Sequence, residues 1–194
     1  MGFAYSKDVS IMQHKGTATL DTPRLVLRRL TVADAEQMYA HWTSDDEVTH
    51  FLTWETHGNV EATRALLGEW VEDYKSDDVY QWGIVLAQTN ELIGTISAVS
   101  LDEAVDAVEI GYCMGRAWWR QGIMTEALGR VIEFFFDEVG ANRVSAKHDV
   151  ANPASGAVMT KCGMRFEGVR RSGARNNQGV VDVACYAILA EDRA

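Results

Sequence analysis

Residues 107–114 alternate between bulky apolar and small or polar side chains, and residues 123–139 follow with a helical repeat of apolar positions. The two-residue period predicts a strand, and the later repeat predicts an amphipathic helix. One strand face carries the bulky residues Val108, Ile110, Tyr112 and Met114. The other face carries Ala107, Glu109, Gly111 and Cys113. Because three of these four are small, we expect something other than a protein side chain to lie against that face.

A tight turn, residues 119–122, joins this strand to the helix. A helix that opens directly after a strand and a turn leaves backbone N–H groups exposed at its partly positive end. The first helical turn, residues 122–125, contains no Asp or Glu to satisfy those donors, and Arg120 adds a positive charge. This arrangement favours binding of an anion such as a diphosphate. An ordinary helix start capped by Thr125 is the alternative interpretation.

The remaining pattern predicts the element order βααβββαβαββ. Besides the central strand, strands are expected at residues 24–30, 80–87, 92–101, 143–150, 164–171 and 180–189. Besides the central helix, helices are expected at residues 31–42, 59–76 and 152–162, while residues 44–52 are helical or irregular. The last two strands are expected to form a hairpin across the polar turn 175–179. The basic segment 170–175 is expected at the solvated tip of this hairpin, and contact with a phosphate, a protein partner or RNA is the alternative. Since no repeat or linker interrupts this order, it predicts one mixed α/β (α+β) domain.

The length of 194 residues suits a single domain, with residues 1–19 as an N-terminal extension and residues 20–194 as the folded domain. No run of about 18 apolar residues occurs, so no membrane span is expected. The N-terminal segment lacks the apolar core of a secretory signal. The three cysteines are odd in number and form no CxxC pair, which predicts reduced thiols in a cytoplasmic protein without a bound metal.

Charge is divided unevenly along the chain, whose formal net charge is −10 at pH 7. Residues 31–110 hold 17 acidic residues against Arg64 and Lys75, and therefore carry −15. Residues 111–194 hold 11 basic and 9 acidic residues, and carry +2. The earlier segment favours a cationic partner and the later one an anionic ligand, although an acidic surface that only aids solubility is the simpler interpretation. Because the net charge is negative and phosphate contacts need clustered Lys and Arg, we expect no nucleic acid as a partner.

Three segments together resemble the GNAT superfamily of N-acetyltransferases. The first is the EIGY sequence of the central strand, followed by W-x-x-G at residues 119–122. The second is NPAS at residues 152–155 with KCGM at residues 161–164, which is similar to the superfamily's NxxSxxxxxKxGF segment. The third is the opening TPRLVLRRLTVADA and the closing DVACYAIL, which resemble the Rim-type ribosomal-protein N-terminal acetyltransferases. The resemblance spans residues 16–189.

This resemblance implies a GNAT-like, mostly antiparallel twisted sheet of about seven strands, flanked by about four helices and splayed in the middle to hold acetyl-CoA. The pantetheine arm would pair with Cys113 and Met114, where the central strand and strand 143–150 part, and Asn152 would donate a hydrogen bond to it. The diphosphate would lie on the backbone N–H groups of Arg120, Gln121, Gly122, Ile123, Met124 and Thr125.

Three residues of the turn depart from the superfamily's pattern. Trp119 stands where Arg or Gln is preferred, Met124 stands where Gly or Ala is preferred, and Arg120 replaces a Gly that many relatives have. These departures concern the detailed geometry of the turn and leave the expected anion site in place.

The reaction implied by the resemblance moves an acetyl group from acetyl-CoA to a primary amine by direct transfer through a tetrahedral intermediate. It requires a neutral amine, a stabilised oxyanion and protonation of the leaving thiolate. Glu109 is the candidate base, acting through a water molecule, and a structural ion pair is its alternative role. Ser155 is the candidate proton donor to the thiolate, and N-capping is its alternative role. A backbone N–H near Cys113 or Met114 would face the oxyanion.

Other side chains offer weaker candidates. Cys113 as a nucleophile lacks a visible His-Asp pair to activate it. His148 is either a second-choice base or a polar residue at a strand end, and the five histidines lack metal-ligand spacing. Four residues between positions 42 and 57 could line an acceptor pocket, or they could belong to the core or to a lid: Trp42, Phe51, Trp54 and His57.

The sequence therefore predicts an acetyl-CoA-dependent amine N-acetyltransferase that needs no metal. Its acceptor is expected to be a protein N-terminus, and the alternative acceptor is a small amine such as a polyamine or an aminosugar, cationic in either case. The alternative function is that of a non-catalytic acyl-CoA-binding regulatory module. The presence of both Glu109 and Ser155 argues against this alternative. The apolar final strand suggests a homodimer.

Overall fold

The computed structural model describes residues 12–193 as one mixed α/β unit. The eight strands are β1 (Leu20–Asp21), β2 (Leu25–Arg28), β3 (Gln81–Leu86), β4 (Leu92–Asp102), β5 (Ala107–Met114), β6 (Arg143–Asp149), β7 (Arg165–Asn176) and β8 (Gly179–Leu189). The five α-helices are α1 (Ala35–Met38), α2 (Asp46–Thr49), α3 (Val60–Asp73), α4 (Ile123–Phe134) and α5 (Pro153–Lys161). The π-helical turns Tyr39–Thr43 and Phe135–Val139 extend α1 and α4. The predicted order is confirmed, with the short strand β1 added and the one-turn helix α2 within the segment expected to be helical or irregular.

The strands form one open sheet in the order β1-β2-β3-β4-β5-β6-β8-β7. All neighbours in it run antiparallel except β5 and β6, which run parallel. The β5–β6 pairing ends at Ile110 and Ala146, although β5 continues to Met114 and β6 to Asp149. The mostly antiparallel sheet that opens in its middle is therefore confirmed.

Each face of the sheet is covered by its own hydrophobic core. On one face α4 and α5 pack against inward residues of β3, β5 and β6, with the fully buried rings of Trp82, Phe134 and Phe135 in contact. On the other face α1 and α3 cover Val85 and Leu92. Since neighbouring residues of a strand point to opposite faces, Ile84 joins the first core and Val85 the second. The sheet thus separates an α4–α5 side from an α1–α3 side.

Residues 12–19, the described part of the expected N-terminal extension, lie against the sheet. Met12 is buried in the first core, and the indole N–H of Trp82 donates to the carbonyl oxygen of Ala18 at 2.6 Å. Thr17 Oγ1 donates to the carbonyl oxygen of Val79 at 2.9 Å. Residues 1–11, which include most of the segment argued to lack a secretory signal, lie outside the described residues. No helix among residues 12–193 has the length and hydrophobicity that crossing a bilayer requires.

Two residues of the small-residue face of β5 contact protein side chains, and the expectation that another molecule lies against this face stays a prediction. A Cβ atom at Gly111 would lie 2.8 Å from Cγ1 of Val99. Cys113 packs against the second core, and its Sγ lies 3.3 Å from Oγ1 of Thr95. The small side chains therefore permit close approach of β4 and the α1–α3 layer.

The final hairpin is longer than its pattern indicates. Residues 170–175 lie within β7, and the tip is at Asn177–Gln178, so the expected position of the basic segment at the tip is wrong. An irregularity in the β7–β8 register between Arg170 and Ala174 interrupts the alternation from which the strand end was inferred. The apolar strand β8 is paired on both sides, by β6 and β7, so its backbone is not an open edge for a second copy. The homodimer stays a prediction.

Candidate active site

The site is organised around the gap between the carboxyl ends of β5 and β6. The helices that follow these strands, α4 and α5, both begin at this end of the sheet. Ligands of open α/β sheets bind where the carboxyl ends of neighbouring strands part. The backbone N–H of Gly115 donates to Ile93 of β4 at 2.9 Å. Because peptide groups alternate sides along a strand, the groups of Cys113 face β4, and those of Met114 face the gap.

A tryptophan side chain spans the corner where β5 meets the turn. The indole N–H of Trp119 donates to the carbonyl oxygen of Met114 at 2.7 Å, and the ring remains 43% exposed. Trp119 thus fixes the last residue of β5 relative to the turn through a single donor. An Arg or Gln at this position would also offer an N–H donor, so this departure from the superfamily's pattern preserves hydrogen-bonding capacity.

The turn into α4 presents unpaired amides. Arg120 and Gly122 both adopt left-handed backbone angles, with φ of 61° and 73°. Such alternation of backbone conformation makes a concave array of N–H groups that suits an anion. Within residues 12–193 the backbone N–H groups of residues 120–125 have no protein acceptor, and the first intrahelical bond runs from Glu126 to Gly122 at 3.1 Å. Thr125 is not the cap, because Gly122 occupies that position without a side chain.

The other two departures are also accommodated. Met124 is 5% exposed and packs in the first core, so its bulk points away from the amides. Arg120 has an exposed side chain that makes no ion pair within the described part of the chain. Its left-handed backbone costs about 1 kcal/mol relative to glycine, and strain of this kind is concentrated at functional sites.

The amino end of α5 lies across the gap from this turn. Asn152 is the N-cap residue, but its side chain makes no capping bond to the helix. Its backbone N–H donates to the carbonyl oxygen of Asp149 at 2.7 Å, and its own carbonyl oxygen accepts from the N–H of Ser155 at 3.2 Å. The backbone is therefore fixed while the side-chain amide remains available to a ligand in the gap.

Ser155 is held by a residue of β5 that the sequence pattern assigned only to the core. Ser155 Oγ donates to the hydroxyl oxygen of Tyr112 at 3.0 Å, and that hydroxyl donates to the carbonyl oxygen of Ser155 at 3.0 Å. Burial raises the pKa of Tyr112, so its hydroxyl stays protonated at neutral pH. Because Asn152 is the N-cap, the alternative in which Ser155 caps α5 is wrong.

Glu109 lies on the α1–α3 side of β5 and is paired. Its Oε1 lies 2.5 Å from Nζ of Lys147 on β6, and the two side chains are 25% and 35% exposed. Both line a groove of about 310 Å³, together with Arg143, Ser145, Glu167, Val169, Arg170 and Cys185. The ion pair named as the alternative role of Glu109 is therefore present. Glu109 is also accessible from the groove while it forms this ion pair, so its position permits a role in proton transfer.

Two weaker candidates are placed where they cannot react readily. Burial raises the pKa of Cys113 above its usual value, which removes the thiolate that a nucleophile requires. The Nε2 atom of His148 is buried without a partner in the described chain, and a Cβ atom at Gly156 would lie 2.5 Å from it. His148 stacks on Tyr186 under α5, with ring centroids 5.6 Å apart. Its position supports the structural role over that of a base.

Helix α2 contacts two separate parts of the chain, one at each of its ends. At one end, Asp45 Oδ2 accepts from Arg116 Nε at 2.6 Å, just after β5. At the other end, Asn177 Nδ2 at the β7–β8 tip donates to the carbonyl oxygens of Thr49 at 2.8 Å and Trp54 at 2.7 Å. Trp42 is fully buried in the core, which was the alternative to a place in an acceptor pocket. α2 therefore connects the residues that follow β5 to the tip of the β7–β8 hairpin.

The fold thus brings together most of the residues proposed from sequence. Met114, the amides of residues 120–125 and Asn152 surround the gap, with Glu109 on one side of the sheet and Ser155 on the other. Three residues were missed: Lys147, Tyr112 and Arg24, which holds the turn through Gln121. The only feature of the sequence that pointed to Tyr112 was its place in the EIGY motif, three residues after Glu109. Residues 12–193 assemble no group of three His, Cys, Asp or Glu side chains able to hold a metal ion.

The chain belongs to the GNAT acetyltransferase family. Residues 24–165 match the family model described as Acetyltransferase (GNAT) domain. The chain is 33% identical over 170 residues to the uncharacterized N-acetyltransferase YoaA of Bacillus subtilis (strain 168), covering 88% of this chain and 96% of that protein. It is an enzyme of the acetyl-CoA N-acetyltransferase type.

Two further likenesses concern named acetyltransferases. The ribosomal-protein-serine acetyltransferase of Escherichia coli (strain K12) is 28% identical over 109 residues, covering 56% of this chain and 61% of that one. The microcin C7 self-immunity acetyltransferase, solved in complex with acetyl-CoA and AMP, superimposes with a TM-score of 0.78 at 21% identity. That superposition covers 87% of this chain and 93% of the other, and it shows the shared fold. The resemblance inferred from the sequence motifs is confirmed.

Proposed function

We propose that this enzyme acetylates a primary amine at the gap between β5 and β6, with the terminal amine of a protein as the leading acceptor. The observation that carries this proposal is that the unpaired amides of residues 120–125 and the free side-chain amide of Asn152 flank one opening, with Glu109 and Ser155 beyond it. These donors suit a diphosphate and a pantetheine arm.

The backbone of residues 120–125 would hold the diphosphate of acetyl-CoA, with Arg120 adding positive charge. Met114 would lie beside the end of the pantetheine arm, and its N–H would face the thioester, since its carbonyl oxygen already accepts from Trp119. Cys113 would not form a hydrogen bond with the arm, because its peptide groups face β4. Asn152 would donate to the arm from the opposite wall of the gap.

The two catalytic candidates approach the thioester from opposite sides of the sheet. Glu109, on the α1–α3 side, would accept the proton that the attacking amine loses, through a water molecule in the groove. Ser155, on the α4–α5 side, would turn its hydroxyl from Tyr112 toward the leaving sulfur and donate its proton as the carbon–sulfur bond of the tetrahedral intermediate breaks. Ser155 would then regain a proton from water. The N–H of Met114 would stabilise the oxyanion. This division places the acceptor on the α1–α3 side of the sheet and the leaving thiol near α5.

A cationic acceptor is favoured by the charge of residues 31–110, the segment that contains α2. This segment carries −15, to which α2 with its N-cap contributes Asp45, Asp46 and Glu47. A protein N-terminus is favoured over a small amine by the Rim-type motifs and by the likeness to the E. coli ribosomal-protein-serine acetyltransferase. Polyamines and aminosugars are the second candidates, since their charge suits the same surface.

The deciding experiment measures release of free thiol from acetyl-CoA with a panel of amines. The panel contains peptides with free N-termini, the same peptides with blocked N-termini, polyamines and aminosugars. We expect release with free N-terminal peptides and none with blocked ones. Binding of coenzyme A without release for any amine would instead establish the non-catalytic acyl-CoA-binding module. Release only with neutral or acidic amines would refute the argument from charge.

A further inference from the structure

The carboxylate of Glu126 lies one turn inside α4, directly behind the amides of the anion site. It is held by the segment that precedes β2. Thr22 Oγ1 donates to Glu126 Oε1 at 2.6 Å, and the backbone N–H of Arg24 donates to the same oxygen at 3.0 Å. Arg24 Nε donates to Glu126 Oε2 at 2.6 Å. Both carboxylate oxygens are therefore engaged across 102 residues of sequence.

Glu126 is ionised in this setting. Burial raises the pKa of its carboxyl group, but the hydrogen bonds from Thr22 and Arg24 outweigh burial and hold the pKa below its usual value. The side chain is 19% exposed, so the charge is only partly screened by water. A full negative charge thus lies close to the place where a diphosphate would bind.

A carboxylate in this position has an alternative set of partners. Helical side chains lean toward the amino end of their helix, and a glutamate in the first turns can accept from the free backbone N–H groups there. The amides of Ile123 and Met124 are the groups that lie in that direction. If Glu126 turned toward them, it would take the donors a diphosphate needs and would repel the ligand through like charge.

Arg24 also contacts the turn itself. Its Nη1 donates to the carbonyl oxygen of Gln121 at 3.0 Å. Its Nη2 lies 3.7 Å from the position that a Cβ atom at Gly122 would take. One guanidinium therefore joins the carboxylate of Glu126 to the left-handed turn, using the fork geometry that arginine provides and lysine lacks.

We propose that Arg24 is a positioning residue that keeps the anion site open by holding the Glu126 carboxylate away from the amides of α4 and neutralising its charge. The inference rests on the proposed placement of the coenzyme A diphosphate at residues 120–125. It gives a role to Thr22 and Arg24, which open the segment that carried part of the family resemblance and have no other assigned chemistry.

The test is a double-mutant cycle measured by calorimetry of coenzyme A binding to the full chain. We expect Arg24→Ala to weaken affinity on the order of tenfold, the size of one lost charged hydrogen bond. Glu126→Gln alone should bind as the wild type does, or more tightly. In the double variant, affinity should return to within about threefold of the wild type, because the neutral amide neither repels the diphosphate nor competes strongly for the amides. A double variant as weak as Arg24→Ala alone would overturn the inference.

Two controls separate this effect from general damage. Arg28→Ala removes another arginine–carboxylate pair from β2, with Asp34, far from the turn, and should leave coenzyme A affinity unchanged even if it lowers stability. Dephospho-coenzyme A retains the diphosphate, so Arg24→Ala should weaken its binding by the same factor. A loss seen only with intact coenzyme A would refute the inference by locating the effect at the 3′-phosphate.

The outcomes also distinguish the inference from the proposed function. Wild-type protein that fails to bind either ligand would refute the anion site itself. Wild-type binding with no loss in Arg24→Ala would leave that site in place and would overturn only the role of Arg24.

Discussion

Nζ of Lys147 lies 2.5 Å from Oε1 of Glu109, joining β6 to β5 on the side of the sheet from which an amine would approach. The pair is partly exposed to the groove, at 35% and 25% of the two side chains. Its Coulomb energy in such a setting is modest, and a cationic acceptor would have to enter beside the ammonium group of Lys147.

Glu109→Gln should lower turnover by about 10²-fold or more, because the amide cannot accept the proton of the attacking amine. Coenzyme A affinity should stay unchanged, since Glu109 is on the opposite side of the sheet from Ser155. The matched control is Glu167→Gln, which removes a carboxylate from the same groove, where it pairs with Arg143 at 2.7 Å. Equal turnover in Glu109→Gln and wild type would remove Glu109 from the chemistry.

Lys147→Met should lower the KM for a cationic acceptor several-fold, because it removes a like charge beside the acceptor's route while keeping the length of the side chain. A neutral amine acceptor should show a smaller change in KM, so steady-state kinetics with both acceptors provides the check. If KM rose for the cationic acceptor only, Lys147 would be an acceptor-binding residue, contrary to this argument.

Ser155→Ala should lower turnover by about 10-fold to 10²-fold with coenzyme A affinity preserved, because the variant lacks the hydroxyl that protonates the leaving thiolate. Tyr112→Phe should reduce turnover by less, since it removes only the partner that orients Ser155 Oγ. Burial keeps the Tyr112 hydroxyl protonated at neutral pH. Turnover in Tyr112→Phe and in wild type should therefore show the same pH dependence between roughly pH 6 and 9. A shifted profile in that variant would show that Tyr112 itself exchanges a proton.

Gly122→Glu should abolish coenzyme A binding in calorimetry, because it places bulk and a negative charge at the anion site. Gly122→Ala is the matched control for the backbone. With φ of 73°, alanine at this position should cost about 1 kcal/mol of stability. Its coenzyme A affinity should fall much less than that of Gly122→Glu. Undiminished affinity in Gly122→Glu would place the diphosphate elsewhere.

Asp34→Asn should destabilise the fold by about 2 kcal/mol at pH 7, because Asp34 accepts from Arg28 Nη2 at 2.7 Å and from the N–H of Thr31 at 2.8 Å. Burial raises the pKa of Asp34, but these hydrogen bonds outweigh it and hold the pKa below the usual 3.8. Its stabilisation is therefore present above pH 3.8 and is lost as the pH falls through the lower folded-state pKa.

Denaturant unfolding of wild type and Asp34→Asn across this range tests the sign. The difference between them should be largest at neutral pH and should close at acid pH. Glu36→Gln, which changes an exposed carboxylate nearby, should leave the unfolding midpoint unchanged. A difference that grew toward acid pH would contradict the assigned pKa direction.

The sequence by itself determined the elements at the centre of the site. The two-residue period of β5 and the helical repeat of α4 are local patterns, and each residue's neighbours along the chain decide them. The turn between them could also be predicted from the sequence, because Gly122 and the lack of acidic residues at 122–125 are properties of adjacent positions. The family motifs extended this to Asn152 and Ser155, since their spacing in the chain is fixed.

Tertiary structure decided which side chains meet. Glu109 and Lys147 are 38 residues apart in sequence, Tyr112 and Ser155 are 43 apart, and Arg24 and Glu126 are 102 apart. Periodicity assigns each of these residues to a face of its own element, but the partner depends on strand order and register, which arise from packing of the whole sheet. The small face of β5 shows the same limit, since only the tertiary structure reveals that the side chain of Val99 packs against Gly111.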